Sequence, residues 1–299
     1  MTIGKGAAIG LATATALIWG FSFLSIKVAV ELIPPMSLGL ARFVIATALL
    51  ALVLAFAKRR PRLELRDLPL MAGAGLVGVT LYFLGENNGV LRLSASESSV
   101  IIGTIPVLTI LADRAFCGAK LSPAQGAGAA LSAVGVGIMV AESLRISLDP
   151  IGYLYMGVAA LSWVGYAFMT RPLFKRYDRL EITFWQSLFG ALGFIPFALA
   201  ESVPWEAVTP VVAFNVLYLG VFCSALGYLF YVTSLDVLGA GVSSVFINLI
   251  PVVSVAASFF ILDERLSAIQ LGGGAVAVVG VYLASLTGQK LNSRRKASG

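Results

Sequence analysis

Arg42 and Glu86 are ionisable side chains that fall within long apolar stretches. A charge at the centre of a membrane helix costs about 2.5–3.5 kcal/mol on insertion scales, so such a group is a functional candidate by default. Tyr82 stands four residues before Glu86 in Tyr82-Phe83-Leu84-Gly85-Glu86-Asn87-Asn88-Gly89, and that spacing puts phenol and carboxylate on one helix face. Together with Asn87 they could form a polar cavity wall, and a carboxylate at membrane depth is a candidate proton carrier. The structural alternative is an Arg42–Glu86 ion pair, or a Glu86 that reaches the outer interface.

Trp19 and Trp163 lie near the middle of apolar stretches, unlike the usual tryptophan belt at the membrane–water boundary. With Tyr82 and Tyr166 they could wall an aromatic cavity suited to flat apolar or cationic groups, the alternative being core packing. Pro106 and Pro251 are candidate hinges, because proline removes a backbone hydrogen bond and frees the carbonyl four residues earlier. Ser98, Ser99 and Gly103 precede the first proline; Ser243, Ser244 and Asn248 precede the second. These small polar residues either line a cavity or permit close helix packing. Tyr153, Tyr155 and Trp205 sit at the ends of stretches and read as interface anchors.

Much chemistry is excluded. The chain has no histidine, which removes His-based acid–base catalysis, triads and histidine metal sites. Cys117 and Cys223 are far apart and read as free thiols, so no metal, cofactor or catalytic residue is expected. Gly73-Gly75-Gly78 matches a dinucleotide-binding pattern, but no strand precedes it and the surroundings are apolar, so helix packing is the expected role. An intramembrane enzyme is disfavoured for the same reasons.

The elements that must position these residues follow from composition. Of 299 residues 59% are hydrophobic and only 12% charged, with a mean hydropathy of +0.93; a soluble domain carries about twice that charge. Uncharged runs recur at 7–26, 43–57, 68–85, 98–112, 121–141, 150–170, 182–200, 207–235, 237–262 and 266–289. A helix needs about 20 apolar residues to cross the hydrocarbon core. The expected fold is therefore an all-α polytopic membrane protein of ten transmembrane helices; the alternating pattern of a β-barrel is absent. The first run is too long for a cleaved signal peptide.

The net charge of +6 does not point to nucleic acid, because most of the 21 Lys and Arg residues gather in alternate loops: Lys5, 58–66, Arg114 with Lys120, 171–179 and 290–296. The positive-inside rule then places both termini in the cytoplasm, with the basic tail beside anionic lipid.

The chain also overlays itself at a shift of 145 residues. Ser98-Ser99-Val100 recurs as Ser243-Ser244-Val245, Ile105-Pro106-Val107 as Ile250-Pro251-Val252, and Val134-Gly135-Val136 as Val279-Gly280-Val281. A shift of 144 pairs Trp19 with Trp163 and Arg42 with Gln186, which would supply a neutral polar contact. Residues 1–145 and 146–299 thus read as two five-helix repeats. Five is odd, so the second is inserted in the opposite sense. Inverted repeats are a transporter architecture whose sites lie near mid-membrane at the repeat interface.

Leu17-Ile18-Trp19-Gly20-Phe21-Ser22-Phe23 and Ala41-Arg42-Phe43 resemble the EamA-type family of the drug/metabolite transporter superfamily. So do the hairpins 94–140 and 239–283, and the turn Leu262-Asp263-Glu264-Arg265-Leu266, whose counterpart Cys117-Gly118-Ala119-Lys120-Leu121 lacks the acidic residue. The resemblance implies a ten-helix bacterial inner-membrane carrier, often an exporter, of amino acids, other metabolites or toxic compounds. No nucleotide-binding loop is present, so an ion gradient, protons among the candidates, or the solute's own gradient would drive flux. The expected partners are a small-molecule substrate and the lipid bilayer, with no nucleic acid; monomer and dimer both fit the pattern. A passive facilitator or pore is the alternative function.

Overall fold

The computed structural model describes residues 3–93, 95–117, 122–141, 149–262 and 267–296. Arg145, the acidic turn at 263–266 and its counterpart at 118–121 lie outside the described residues. Every regular element among them is helical.

Helix α1 (Lys5–Val30) is followed by α2 (Pro35–Phe56). Pro35 opens α2, where its missing N–H is not needed. Helix α3 (Leu65–Arg92) begins as a 3₁₀ turn and widens into a π-helical stretch at Leu76–Leu81. Helices α4 (Ala95–Ile102), α5 (Ile105–Cys117) and α6 (Pro123–Ala141) complete the first half.

The second half repeats the order: α7 (Pro150–Lys175), α8 (Arg179–Ala198) and α9 (Pro210–Leu238), the last with a π-helical stretch at Leu219–Gly227. It ends with α10 (Ala240–Val245), α11 (Leu249–Leu262) and α12 (Ala268–Lys296). Asp149, Asp178 and Thr209 cap α7, α8 and α9 through backbone N–H groups, Asp178 in a capping box with Glu181.

Of the ten expected spans, six are long and apolar enough to cross a membrane among the described residues: α1, α2, α3, α7, α8 and α9. The expected runs 98–112 and 237–262 are not single helices. Each is broken just before its proline, at Gly103-Thr104 and at Phe246–Asn248, where the helix loses its i→i−4 bond. Among the described residues, shorter apolar stretches lie in α6 and α12, Gln125–Ile138 and Gly272–Ala284.

Helices α6 and α12 run antiparallel at very close range. A Cβ at Gly128 would meet Gly280 and Ala284, and one at Gly135 would meet Gly273 and Ala277. A Cβ on Gly280 would meet Ser132 and Gly128 in turn. Contacts recede along one helix as they advance along the other, and the same small residues face each other from both sides. Gly73, Gly75 and Gly78 likewise face Met169, Gln186 and Tyr166 in neighbouring helices, which is the packing role expected of them.

The end of the bundle carrying residues 58–66 and 171–179 is basic. Among the described residues three ion pairs cross it between the halves: Arg59 with Asp178, Asp67 with Arg176, and Asp113 with Arg171 at 2.7 Å; Tyr177 also donates to Asp67. At the far end Glu201 accepts from the backbone of Met36 and Ser37 at the start of α2, and Arg92 pairs with Asp149 at 3.1 Å. Lys27 donates to the carbonyls of Val90 and Leu93, a favourable cation at the C-terminal end of α3. Large apolar side chains such as Leu154, Leu161, Val211 and Phe214 are exposed on the flanks, a surface suited to lipid.

Candidate functional site

A central cavity of about 300 Å³ lies between the halves. Helix α1 contributes Trp19, Ser22 and Phe23; α2 contributes Arg42; α3 contributes Tyr82, Phe83 and Glu86. From the second half come Trp163 on α7, Tyr228 on α9 and Ile250 on α11. Tyr82 and Tyr228 are each the first residue after a π-helical stretch. A π turn sets side chains at angles that a regular α-helix does not reach, and such turns recur at functional sites.

Arg42 is 2% exposed. Its Nε donates to Ser224 Oγ at 2.9 Å, and its Cζ lies 4.1 Å from the Phe83 ring centroid. Its Nη1 is buried with no hydrogen-bond partner. Glu86, 4% exposed, accepts a bond from Tyr82 Oη at 2.7 Å. The i,i+4 spacing thus does what the sequence suggested, and Glu86 faces inward rather than reaching the interface. No ion pair joins it to Arg42, so an acidic and a basic side chain line one cavity without direct contact.

The aromatic wall is hydrogen-bonded in place. Trp19 Nε1 donates to the Cys223 carbonyl at 3.0 Å, Trp163 Nε1 to Tyr231 Oη at 3.1 Å, and Tyr228 Oη to the Gly78 carbonyl at 2.8 Å. Two of these carbonyls, Cys223 and Gly78, belong to the π-helical stretches. Trp19 and Trp163 meet edge to face at 5.1 Å, and Tyr82 lies 5.0 Å from Trp163.

Five of the twelve expected binding residues therefore converge: Trp19, Arg42, Tyr82, Glu86 and Trp163. The rest are buried but do not line this cavity. Tyr166 packs behind Trp163 at 5.3 Å, and Gln186 donates to Thr170 Oγ1 at 3.0 Å. Asn87 is turned toward the start of α2, where it donates to the Pro35 carbonyl at 2.8 Å. Ser98, Ser99, Ser244 and Asn248 have no exposed surface, and Ser244 bonds locally to the Gly241 carbonyl. Helical spacing says which residues share a face; it does not say which neighbour that face meets. Their neighbour Ser243 lines a smaller cavity of about 210 Å³, which shares Trp19 and Ile250 with the central one. Pro106 and Pro251 do mark helix breaks.

The sequence missed Tyr228, Ser224 and Phe83. Tyr228 carried a usable signal, since it is the repeat partner of Tyr82 once an offset of one further residue is allowed.

The model of the EamA-like transporter family matches residues 6–141 and again 150–286. The chain belongs to the EamA-like transporter family. It is 29% identical to a probable terminal-alkyne amino-acid exporter of Streptantibioticus cattleyicolor, covering 95% of this chain and 94% of that protein. It is 26% identical to a probable amino-acid metabolite efflux pump of Escherichia coli, over 91% of this chain and 93% of the relative. An uncharacterized transporter of Archaeoglobus fulgidus is also 26% identical, over 90% and 95%. One crystal structure of a protein 19% identical superposes with a TM-score of 0.79, covering 96% of this chain and 99% of the other, which shows a shared fold. This EamA-like chain is thus a multi-pass membrane transporter.

Proposed function

We propose that this transporter is a secondary carrier that exports small organic metabolites, amino acids and related amphipathic compounds among them, across a bacterial inner membrane by alternating access. The observation that carries the reading is the central cavity. It sets Arg42 and Glu86 of the first half against an aromatic wall drawn from both halves of the chain, and such a composite site lets each half move against the other. The two relatives named above as an amino-acid exporter and an amino-acid metabolite efflux pump support the substrate class and the direction.

The antiparallel packing of α6 on α12, each the last helix of its repeat, supports an inverted pair of five-helix units split near residue 145. Taking α4 with α5 and α10 with α11 as single broken spans restores ten crossings. The basic end is then cytoplasmic, as are both termini. Glu86 is the group in the cavity that can take up and release a proton, which makes the proton gradient the driving force.

Reconstitution into liposomes tests this. Saturable flux of an amino-acid and amphipathic-compound panel without ATP is expected. Glu86→Gln should flatten the pH dependence of that flux. An unchanged pH profile removes the proton role, and no flux of any solute removes the carrier reading.

A further inference from the structure

We infer that the central cavity reads a dipolar solute in a fixed sense, its carboxylate on Arg42 and its ammonium group at Glu86 within the aromatic wall. This rests on the carrier reading above and adds what each end of the site recognises.

Arg42 lacks partners for part of its donor set. A guanidinium carries five N–H donors. In this cavity Nε is used by Ser224 and one face is covered by Phe83, while Nη1 is buried and unpartnered. A buried charge without a partner is strongly unfavourable, so the site is incomplete until an anion arrives. The planar fork suits a carboxylate, which can accept two parallel bonds from it.

The second ionisable group lining the cavity has the opposite deficit. The Glu86 carboxylate accepts from Tyr82, and its two oxygens can accept further bonds. An ammonium group offers three donors, and the adjoining faces of Trp19, Trp163 and Tyr228 attract a cation. Because Arg42 and Glu86 do not pair with each other, a purely anionic solute leaves Glu86 uncompensated. A purely cationic one leaves Arg42 so. A molecule carrying both charges satisfies both.

The test uses the purified full chain and its intrinsic tryptophan fluorescence, since two of its four tryptophans line the cavity. The probes are a mixture of the proteinogenic amino acids, the same mixture as methyl esters, and the same mixture N-acetylated. Wild type should bind the free amino acids about 10- to 100-fold more tightly than either derivative, the range of one charged hydrogen-bonding contact. Arg42→Gln should abolish the preference for acid over ester and keep the preference for free over acetylated amine. Glu86→Gln should do the reverse.

Arg42→Lys should retain a weakened acid preference; together with the wild-type ester comparison it decides the matter if Arg42→Gln does not fold. Equal wild-type binding of acid and ester overturns the inference, as does an Arg42→Gln protein that keeps the acid preference. Saturable flux of uncharged or singly charged solutes, with no binding of amino acids, overturns it while leaving the carrier reading intact. Absence of any flux removes the carrier reading itself.

Discussion

Breaking the Asp113–Arg171 pair should open the basic end of the molecule. Asp113 on α5 and Arg171 on α7 join the two halves at 2.7 Å, beside a cavity of about 530 Å³ that Gln125 and Val245 also line. The side chain of Arg171 is 36% exposed and that of Asp113 12%. A fully buried pair broken on one side costs about 3–5 kcal/mol; with one partner this open to solvent, about 1 kcal/mol is the appropriate figure. That shifts a closed-to-open equilibrium by roughly fivefold, because the pair exists only while the halves are together at this end. The Arg59–Asp178 and Asp67–Arg176 links remain and keep the effect from growing further.

The assay is maleimide labelling of Val245→Cys, with Cys117 and Cys223 replaced by Ala, in inside-out vesicles. Val245 is 2% exposed, so labelling reports opening. Asp113→Asn should raise the labelling rate up to about fivefold, and the swap of Asp113→Arg with Arg171→Asp should restore it. Asp236→Asn serves as the control, since Arg179 and Asp236 both lie in the second half. An unchanged rate in Asp113→Asn, or an equal rise in Asp236→Asn, refutes the idea that this pair holds the halves together.

Gly135→Leu should lower the melting temperature of the detergent-solubilised protein, by overpacking worth about 1–3 kcal/mol or more against the α12 backbone. Gly137→Leu, which meets nothing within 4 Å, should not, and equal effects would contradict the α6–α12 contact. At the far end, the Gly152 N–H and, next, Arg92 hold the Asp149 carboxyl below the usual carboxylate range. Its stabilising contribution is therefore present at neutral pH and is lost as pH falls through that depressed value. The melting-temperature gap between wild type and Asp149→Asn should accordingly stay level from pH 8 to about 5 and close in stronger acid; a gap that stays open in strong acid contradicts the assignment.

The helical class, the half-repeats and the pair Tyr82–Glu86 were legible in the sequence because each depends on local spacing or on identity between segments. Arg42 and the two tryptophans were legible for another reason: a charge or a mid-span indole in lipid is costly or unusual wherever it points. Ser98, Ser99, Ser244 and Asn248 were not, because polarity near a proline is compatible with a cavity wall and with a helix seam, and tertiary packing chooses between them. Ser98 Oγ and both side-chain polar atoms of Asn248 are buried without partners.

Tyr228 shows where repeat reasoning stopped short. Ser98 pairs with Ser243 at one offset, whereas Tyr82 pairs with Tyr228 at an offset one residue longer. A π-helical turn accommodates an extra residue without ending the helix. Arg42 pairs with Gln186 at an offset of 144, so the second half gains two residues before Tyr228, and its π-helical stretch, Leu219–Gly227, is longer than Leu76–Leu81 in the first half. The register is regained at the next loop, where Gly239, with φ of 81°, makes the shorter turn into α10. The two tyrosines therefore face one cavity although a fixed shift does not align them, and the place where the repeat slips is the place where the second half adds its phenol to the site.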